Sequence, residues 1–448
     1  MMKKDILKNI EHSLFILPLA LLLFGMAACS KTEFLPDPEG VQVPFEETAT
    51  QTVEQLLAAS DAEIYYEAWQ KSNLKNEIAA KGSKFDFTIF APDDAAMQAA
   101  GLTSAVIRQM PMDELDNLLL FYTSIGKLDA NVLKNRSDNY VVKSMLQHPG
   151  LYVEHFENPD SYPGGYDHYF YRNYMAVAAG DLLVNGKNTG KLSYSAAKNG
   201  ALFILGKTIE KPTKTKLQVL REDGRFTMYL ESQRLTDEMY LGKIGDGIEP
   251  LFGYRPEKEE IKRDFAYERL YYDEDMEFID YGYSAPNIVI STLFVPTDDA
   301  FHKAGFQTVA DILRFNEERG NAFFDENTYQ ATGGYPLDTI MNFHRDWGRF
   351  FAPKDPSYGL ARNNATVFYS NDLNTSLQNY MVNIGGSAQP IYAYKMPLAF
   401  SIINNKIQIQ VPGSDRPAAT IVEADINTLN GPIHVIDQLL IPKGFKLF

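Results

Sequence analysis

FTIFAPDDAAMQAAGL, from Phe87 to Leu102, and STLFVPTDDAFHKAGF, from Ser291 to Phe306, write nearly the same pattern twice in one chain. Each copy opens with a short β-type run, Thr88-Ile89-Phe90 or Thr292-Leu293-Phe294, that runs into a proline, Pro92 or Pro296. Proline cannot donate to a strand ladder, so the strand ends there. The polar pair that follows, Asp93-Asp94 or Thr297-Asp298, supplies side-chain oxygens to cap a helix made of the Ala-rich residues beyond it. One strand-cap-helix junction is commonplace. Two, about two hundred residues apart, indicate an internal duplication.

The rest of the chain supports two copies of one unit. With 448 residues it is long for one hydrophobic core. Before the first box, TVEQLLAASDAEIYYEAWQKS from Thr52 places Val53, Leu56, Leu57, Ile64, Tyr65, Ala68 and Trp69 at helical spacing, which predicts one or two amphipathic helices. KLQVLREDGRFTMYLESQRL, Lys216 to Leu235, takes that place in the second copy. Met112–Phe121 reads as a further helix. Alternating runs such as LLVNGKNTGKLSYS read as strands. The copies close on NGALFILGKTIEKP, Asn199 to Pro212, and NGPIHVIDQLLIP, Asn430 to Pro442, each an Asn-Gly turn followed by an apolar strand. The boxes lie about 110 residues apart in one copy and about 140 in the other, so the second copy carries insertions, which cost little in loop entropy.

These boxes resemble the fasciclin domain, whose signatures read roughly FTVFAPTDxAF and NGVIHVIDxVLLP. The second copy is close. The first departs at Met97, where the family has Phe, at Phe203, where it has His, and at Gly206, where it has Asp. A third family landmark, LLxYHxxxGKL, is similar to Leu119–Leu128 and Ile340–Phe350, with Phe121-Tyr122 and Phe343-His344 at its Tyr-His positions. The resemblance implies an α+β fold of two tandem fasciclin-like domains, each a β-sheet wedge with packed helices, over residues 52–213 and 214–448. It also implies adhesion: contact with another cell, matrix or surface protein.

The N-terminus carries its own signal. Lys3, Lys4 and Lys8 precede an apolar run of eleven residues, Leu14–Phe24, well short of the ~20 a helix needs to span a bilayer. Small residues lead to Cys29, the only cysteine. This pattern resembles a bacterial lipoprotein signal, which implies cleavage of residues 1–28, a lipid on Cys29, and a proline-punctuated tether over residues 29–51. Ser30 after the cysteine resembles outer-membrane sorting. Loss of Met1–Ala28 removes three basic and two acidic residues, so the net charge moves from -16 to -17. That acidic balance argues against nucleic-acid binding.

Catalytic and metal signatures are weak. The sequence has no G-x-S-x-G elbow, P-loop or H-E-x-x-H, and a lipidated Cys29 leaves no free thiol, so we read no enzyme and no cofactor. His148, His155 and His168 sit near Glu154, Asp160 and Asp167, but in a segment that reads as loop, without ligand spacing, so no metal is expected. His344 and His434 read as hydrogen-bonded structural histidines. The carboxylates of Tyr271–Asp280 and Glu257–Asp264 read as solvated faces. Tyrosines crowd two segments, Tyr152–Tyr174 and Tyr254–Tyr283, where packing and recognition are equally open readings. The recognition reading nominates Tyr166, Tyr169, Tyr271 and Tyr272, with Phe343-His344 as the next place to look. A different class, an accessory glycan or nutrient binder beside an outer-membrane uptake channel, is the alternative to adhesion.

Overall fold

The computed structural model describes residues 49–81, 85–154, 166–261, 290–344, 367–379, 381–383 and 392–447. Tyr271 and Tyr272 lie outside them, as does Cys29. From Ala49 to Phe448 the chain is one compact α+β unit built from two copies of the same arrangement.

The duplicated box is a strand, a cap and a helix in both copies. In the first, β1 (Phe87–Pro92) leads into a helix at Asp94–Ala99, and the Asp93 carboxylate accepts the Ala96 N–H. In the second, β9 (Leu293–Pro296) leads into Asp298–Ala304, and the Thr297 hydroxyl accepts the Ala300 N–H. Each cap closes one of the donors a helix start leaves open.

The opening and closing boxes of each copy meet as neighbouring parallel strands. β1 pairs with β8 (Gly200–Leu205) from Phe87↔Gly200 to Pro92↔Leu205, and β9 pairs with β17 (Ile433–Ile436) from Leu293↔Ile433 to Pro296↔Ile436. Strands buried on both faces read as continuous apolar runs. In keeping with this, all of β1, β9 and β17 is buried.

The early helices repeat as well. Val53–Ala58 and Lys216–Glu222 each begin on a capping box, Thr52 with Gln55 and Thr215 with Gln218. The asparagine of each Asn-Gly pair then fastens that helix to its sheet: Asn199 Oδ1 accepts the Val53 N–H, and Asn430 Oδ1 accepts the Lys216 N–H, at 2.9 and 2.8 Å. The next helices, Glu63–Lys71 and Thr227–Phe252, give a backbone N–H near their start to Asp94 and Asp298 respectively. Five side chains thus do the same jobs in each copy. This is why the repeat shows in the sequence.

The copies differ in their remaining sheets. The first adds β2 (Thr123–Ile125), then a second sheet, β3 (Tyr140–Glu154), β4 (Tyr166–Ala178), β5 (Asp181–Val184) and β6 (Lys187–Lys191), and β7 (Ser193–Ala197) beside β8. The stretch from His148 to Tyr174 reads as loop in the sequence, and its described part belongs to a long antiparallel hairpin, β3 with β4. Its tyrosines are good strand formers, and register shifts between Lys143 and Gln147 and between Gln147 and Tyr152 break the alternation that would have revealed it.

The second copy carries the larger additions. Its second helix runs 26 residues to Phe252 and packs on a short hairpin, β10 (Phe323–Asp325) with β11 (Gln330–Thr332). Gly247 leaves the space that the Phe324 ring fills, since a Cβ there would stand 2.1 Å from it. Tyr240, Leu241, Ile244 and Ile248 join Ala331 and Tyr335 in a small separate core. Beyond a two-stranded pair, β12 (Met381–Asn383) with β13 (Tyr392–Lys395), the sheet runs continuously from β14 (Ala399–Ile403) through β15 (Lys406–Gln410) and β16 (Ala419–Ile426) to β17 and β9.

The copies also share core. Ile290, Val367, Tyr369 and Leu429 of the second pack into the first copy's hydrophobic cluster, and the Tyr369 ring lies 5.3 Å from that of Tyr174. Beside it, buried Asp372 accepts the Tyr369 N–H and, across the interface, the backbone and side-chain N–H groups of Asn139. Burial outweighs these donors and pushes the Asp372 carboxyl up to about 6.

Between the ordinary carboxyl value and about pH 6, the folded state therefore holds a proton on Asp372 that the unfolded chain has released. Its contribution to stability is full below the ordinary carboxyl value and is lost as pH rises through about 6. A shift of roughly two units sets a ceiling of about 3 kcal/mol on that loss. We expect the stability difference between wild type and Asp372→Asn to change between pH 4 and pH 7. Parallel denaturant curves for the two proteins across this range would disprove it.

Candidate functional site

The Tyr-His positions form an internal clamp. Tyr122 follows the helix Met112–Phe121, and its carbonyl accepts the Phe90 N–H at 2.9 Å. Its buried hydroxyl accepts the Ile209 N–H at 2.9 Å and donates to the Ile209 carbonyl at 3.2 Å. His344 follows Pro336–Met341 in the second copy, and its carbonyl accepts the Phe294 N–H at 2.9 Å. Its Nδ1–H donates to the Phe294 carbonyl at 2.9 Å, and Nε2 accepts the Leu440 N–H at 3.0 Å. Both ring nitrogens are spent and the side chain is fully buried.

His434 is similarly occupied. Nε2–H donates to the Phe368 carbonyl at 3.0 Å, Nδ1 accepts the Asp425 N–H at 3.3 Å, and burial holds the ring below the ordinary histidine range. Its first-copy counterpart, Phe203, keeps the ring stack without the hydrogen bonds: Phe90–Phe203 centroids are 5.1 Å apart, against 5.5 Å for Phe294–His434.

Of the nominated binding residues, the described ones are core. His344 is a clamp, and Phe343 is half-buried against the second copy's core. Tyr169 is 3% exposed, its ring 5.6 Å from Tyr171, and burial raises its hydroxyl far above the usual value. It faces inward because β4 alternates there, with Tyr169 and Tyr171 buried between the less buried His168, Phe170 and Arg172. Tyr166 begins β4, and its side chain lies outside the described residues. Of the three histidines weighed for metal, His148 packs on Tyr169 and Tyr171, His168 is exposed beside Tyr152, and His155 is outside the described residues. Among the described residues no three His, Cys, Asp or Glu side chains are grouped to hold a metal.

Two clefts line the helices that lead into the clamps. In the first copy a cleft of about 390 Å³ has apolar walls from Leu102, Met110, Leu118, Phe121 and Ile209. The one in the second copy is about 510 Å³ and polar, lined among others by Arg319, Asn321, Tyr335, Asp338, Thr339 and Asn342. Both volumes fall in the range of ligand sites, about 300–1,000 Å³. The polar cleft lies where the long helix and the β10–β11 hairpin meet the repeated scaffold.

Its walls are braced from behind. The Tyr240 hydroxyl accepts the Tyr335 N–H at 3.1 Å and donates to Asp338 Oδ2 at 2.6 Å. Arg319 gives one N–H to the Lys446 carbonyl at 2.8 Å and lies 5.4 Å over the Phe315 ring. Among the described residues the buried Tyr335 hydroxyl has no hydrogen-bond partner. Sequence reading missed this cleft, because its residues come from three separated stretches and match no motif.

Residues 60–184 match the family model of the Fasciclin domain. No curated protein matches the sequence significantly. Among solved structures the chain is similar to a FAS1 domain pair from the insect cell adhesion molecule Fasciclin I, at 14% identity, over 86% of this chain and 98% of that one, with a TM-score of 0.25. The class rests on the family match and on the internal repeat: a tandem α+β protein whose first copy carries the Fasciclin domain match.

Proposed function

We propose that this chain is a lipid-anchored outer-membrane protein that binds a surface protein, matrix or glycan through two fasciclin-type domains, residues 52–213 and 214–448. It carries no catalytic step and needs no cofactor. The observation that supports it most is the repeated scaffold, whose caps, clamps and parallel box strands recur around a Fasciclin-matching first copy. Such a double unit suits display of a binding surface. No helix among the described residues is long and apolar enough to cross a membrane, and in this reading the lipid on Cys29, after loss of residues 1–28, supplies the anchor. Each buried lipid CH₂ contributes about 0.8 kcal/mol, so several chains hold stably.

Two measurements test it. Wild type should take up an acyl label and fractionate with outer membranes, whereas Cys29→Ala should lose the label. An unlabelled wild type would end the anchoring claim. Fluorescent full-length protein should bind matrix-coated or cell surfaces saturably; binding that never saturates would remove the adhesion claim. The second reading, a glycan binder beside an uptake channel, is favoured by one observation, the polar cleft of the second copy.

A further inference from the structure

We infer that the polar cleft of the second copy is a binding site for a neutral, polyhydroxylated ligand, a sugar unit of a glycan. The inference rests on the binding reading above and names the ligand class for one site within it.

Charge decides the class. Arg319 and Asp338 both line the cleft, so an anion meets a carboxylate there and a cation meets a guanidinium. A neutral ligand escapes both penalties. A polyol also uses both groups at once, since each hydroxyl donates and accepts. The remaining N–H groups of Arg319, the Thr339 hydroxyl and the Asn342 amide make no hydrogen bonds among the described residues. Groups of both senses with unspent capacity therefore converge on one concave space.

The apolar part of the lining fits as well. Tyr335 and Phe445 line the same cleft, and aromatic surface suits the C–H face of a sugar ring. The bracing of Asp338 by Tyr240 and of Arg319 by Lys446 and Phe315 holds the contact groups before binding, which lowers the ordering cost.

The test uses the full chain in a detergent without a sugar headgroup. It is applied to an array of neutral hexose and N-acetylhexosamine oligosaccharides, with uronate-bearing and amine-bearing glycans as charged arms. The tightest neutral glycan is then titrated calorimetrically against wild type, Arg319→Met and Thr339→Trp. Arg319 and Thr339 are exposed, so cooperative unfolding should persist in both variants. We expect binding to weaken about tenfold or more in each, as loss of a charged hydrogen bond or filling of the cleft requires.

If Arg319→Met fails to fold, Thr339→Trp alone decides. The inference is overturned if no neutral glycan binds, if charged glycans bind more tightly, or if affinity survives the substitutions. Saturable surface binding in the assay above would in each of those cases leave the broader reading standing.

Discussion

Gly431→Ala is expected to destroy the second copy's fold, with a loss above about 4 kcal/mol, in the exceptional range for one substitution. Gly431 has φ +110°, and a Cβ there would lie 2.2 Å from the Ser291 carbonyl oxygen. That carbonyl belongs to the residue entering β9, the strand that pairs in parallel with the one Gly431 introduces. Relief would need the central strands to part, and the Asn430 bond to the first helix of its own copy would go with them. Gly200 stands in the same place in the first copy, with φ +147° and a Cβ 1.7 Å from the Phe87 oxygen. Gly444→Ala is the control: φ is +71° but nothing lies within 4 Å, so only the backbone cost of about 1–2 kcal/mol applies. Urea unfolding followed by circular dichroism separates them. A Gly431→Ala midpoint no lower than that of Gly444→Ala would refute the steric account.

The Asn-Gly pairs also mark how far the sequence could be read. As turn signals they located the closing strands correctly, yet their glycines serve close strand approach, a constraint that only the partner strand reveals. The helix Met112–Phe121 was legible to the residue, because Leu115 and Leu119 recur on one buried face. The helix beginning at Thr227 was legible at its start, but its run to Phe252 passes Gly242, Gly245, Gly247 and Pro250, which read as breakers. Gly247 is explained by the hairpin packed on it, a tertiary fact. The β3–β4 hairpin was hidden by its register shifts and by Pro149-Gly150. Tyrosine crowding left packing and recognition equally open, and Tyr169, Tyr171 and Tyr174 are buried, as packing requires. The polar cleft and the Asn139–Asp372 contact join residues far apart in the chain, and no local pattern encodes such pairs.

Tyr122→Phe should cost about 2–3 kcal/mol, although it removes a single oxygen. That oxygen holds both polar groups of Ile209, and burial makes each costly to leave unpaired, at about 1–3 kcal/mol apiece. Tyr122→His is the informative partner. Ile209 and Leu440 each stand ten residues beyond the asparagine of their Asn-Gly pair, Asn199 or Asn430. His344 already shows how an imidazole serves this position, with Nε2 on the Leu440 N–H and Nδ1–H on the carbonyl of the box strand. A histidine at 122 should therefore take the Ile209 N–H and donate to the Phe90 carbonyl, and recover most of what Phe loses. The reverse change, His344→Phe, should cost as much as Tyr122→Phe or more, because two separate segments lose their tie. Denaturant midpoints of the four proteins read this directly. If Tyr122→His is no more stable than Tyr122→Phe, the two residues are not interchangeable solutions to one constraint, and the departure of the first copy from histidine needs another cause. If the ranking is wild type, then His, then Phe, the clamp is what both copies preserve, and the residue that supplies it is free to vary.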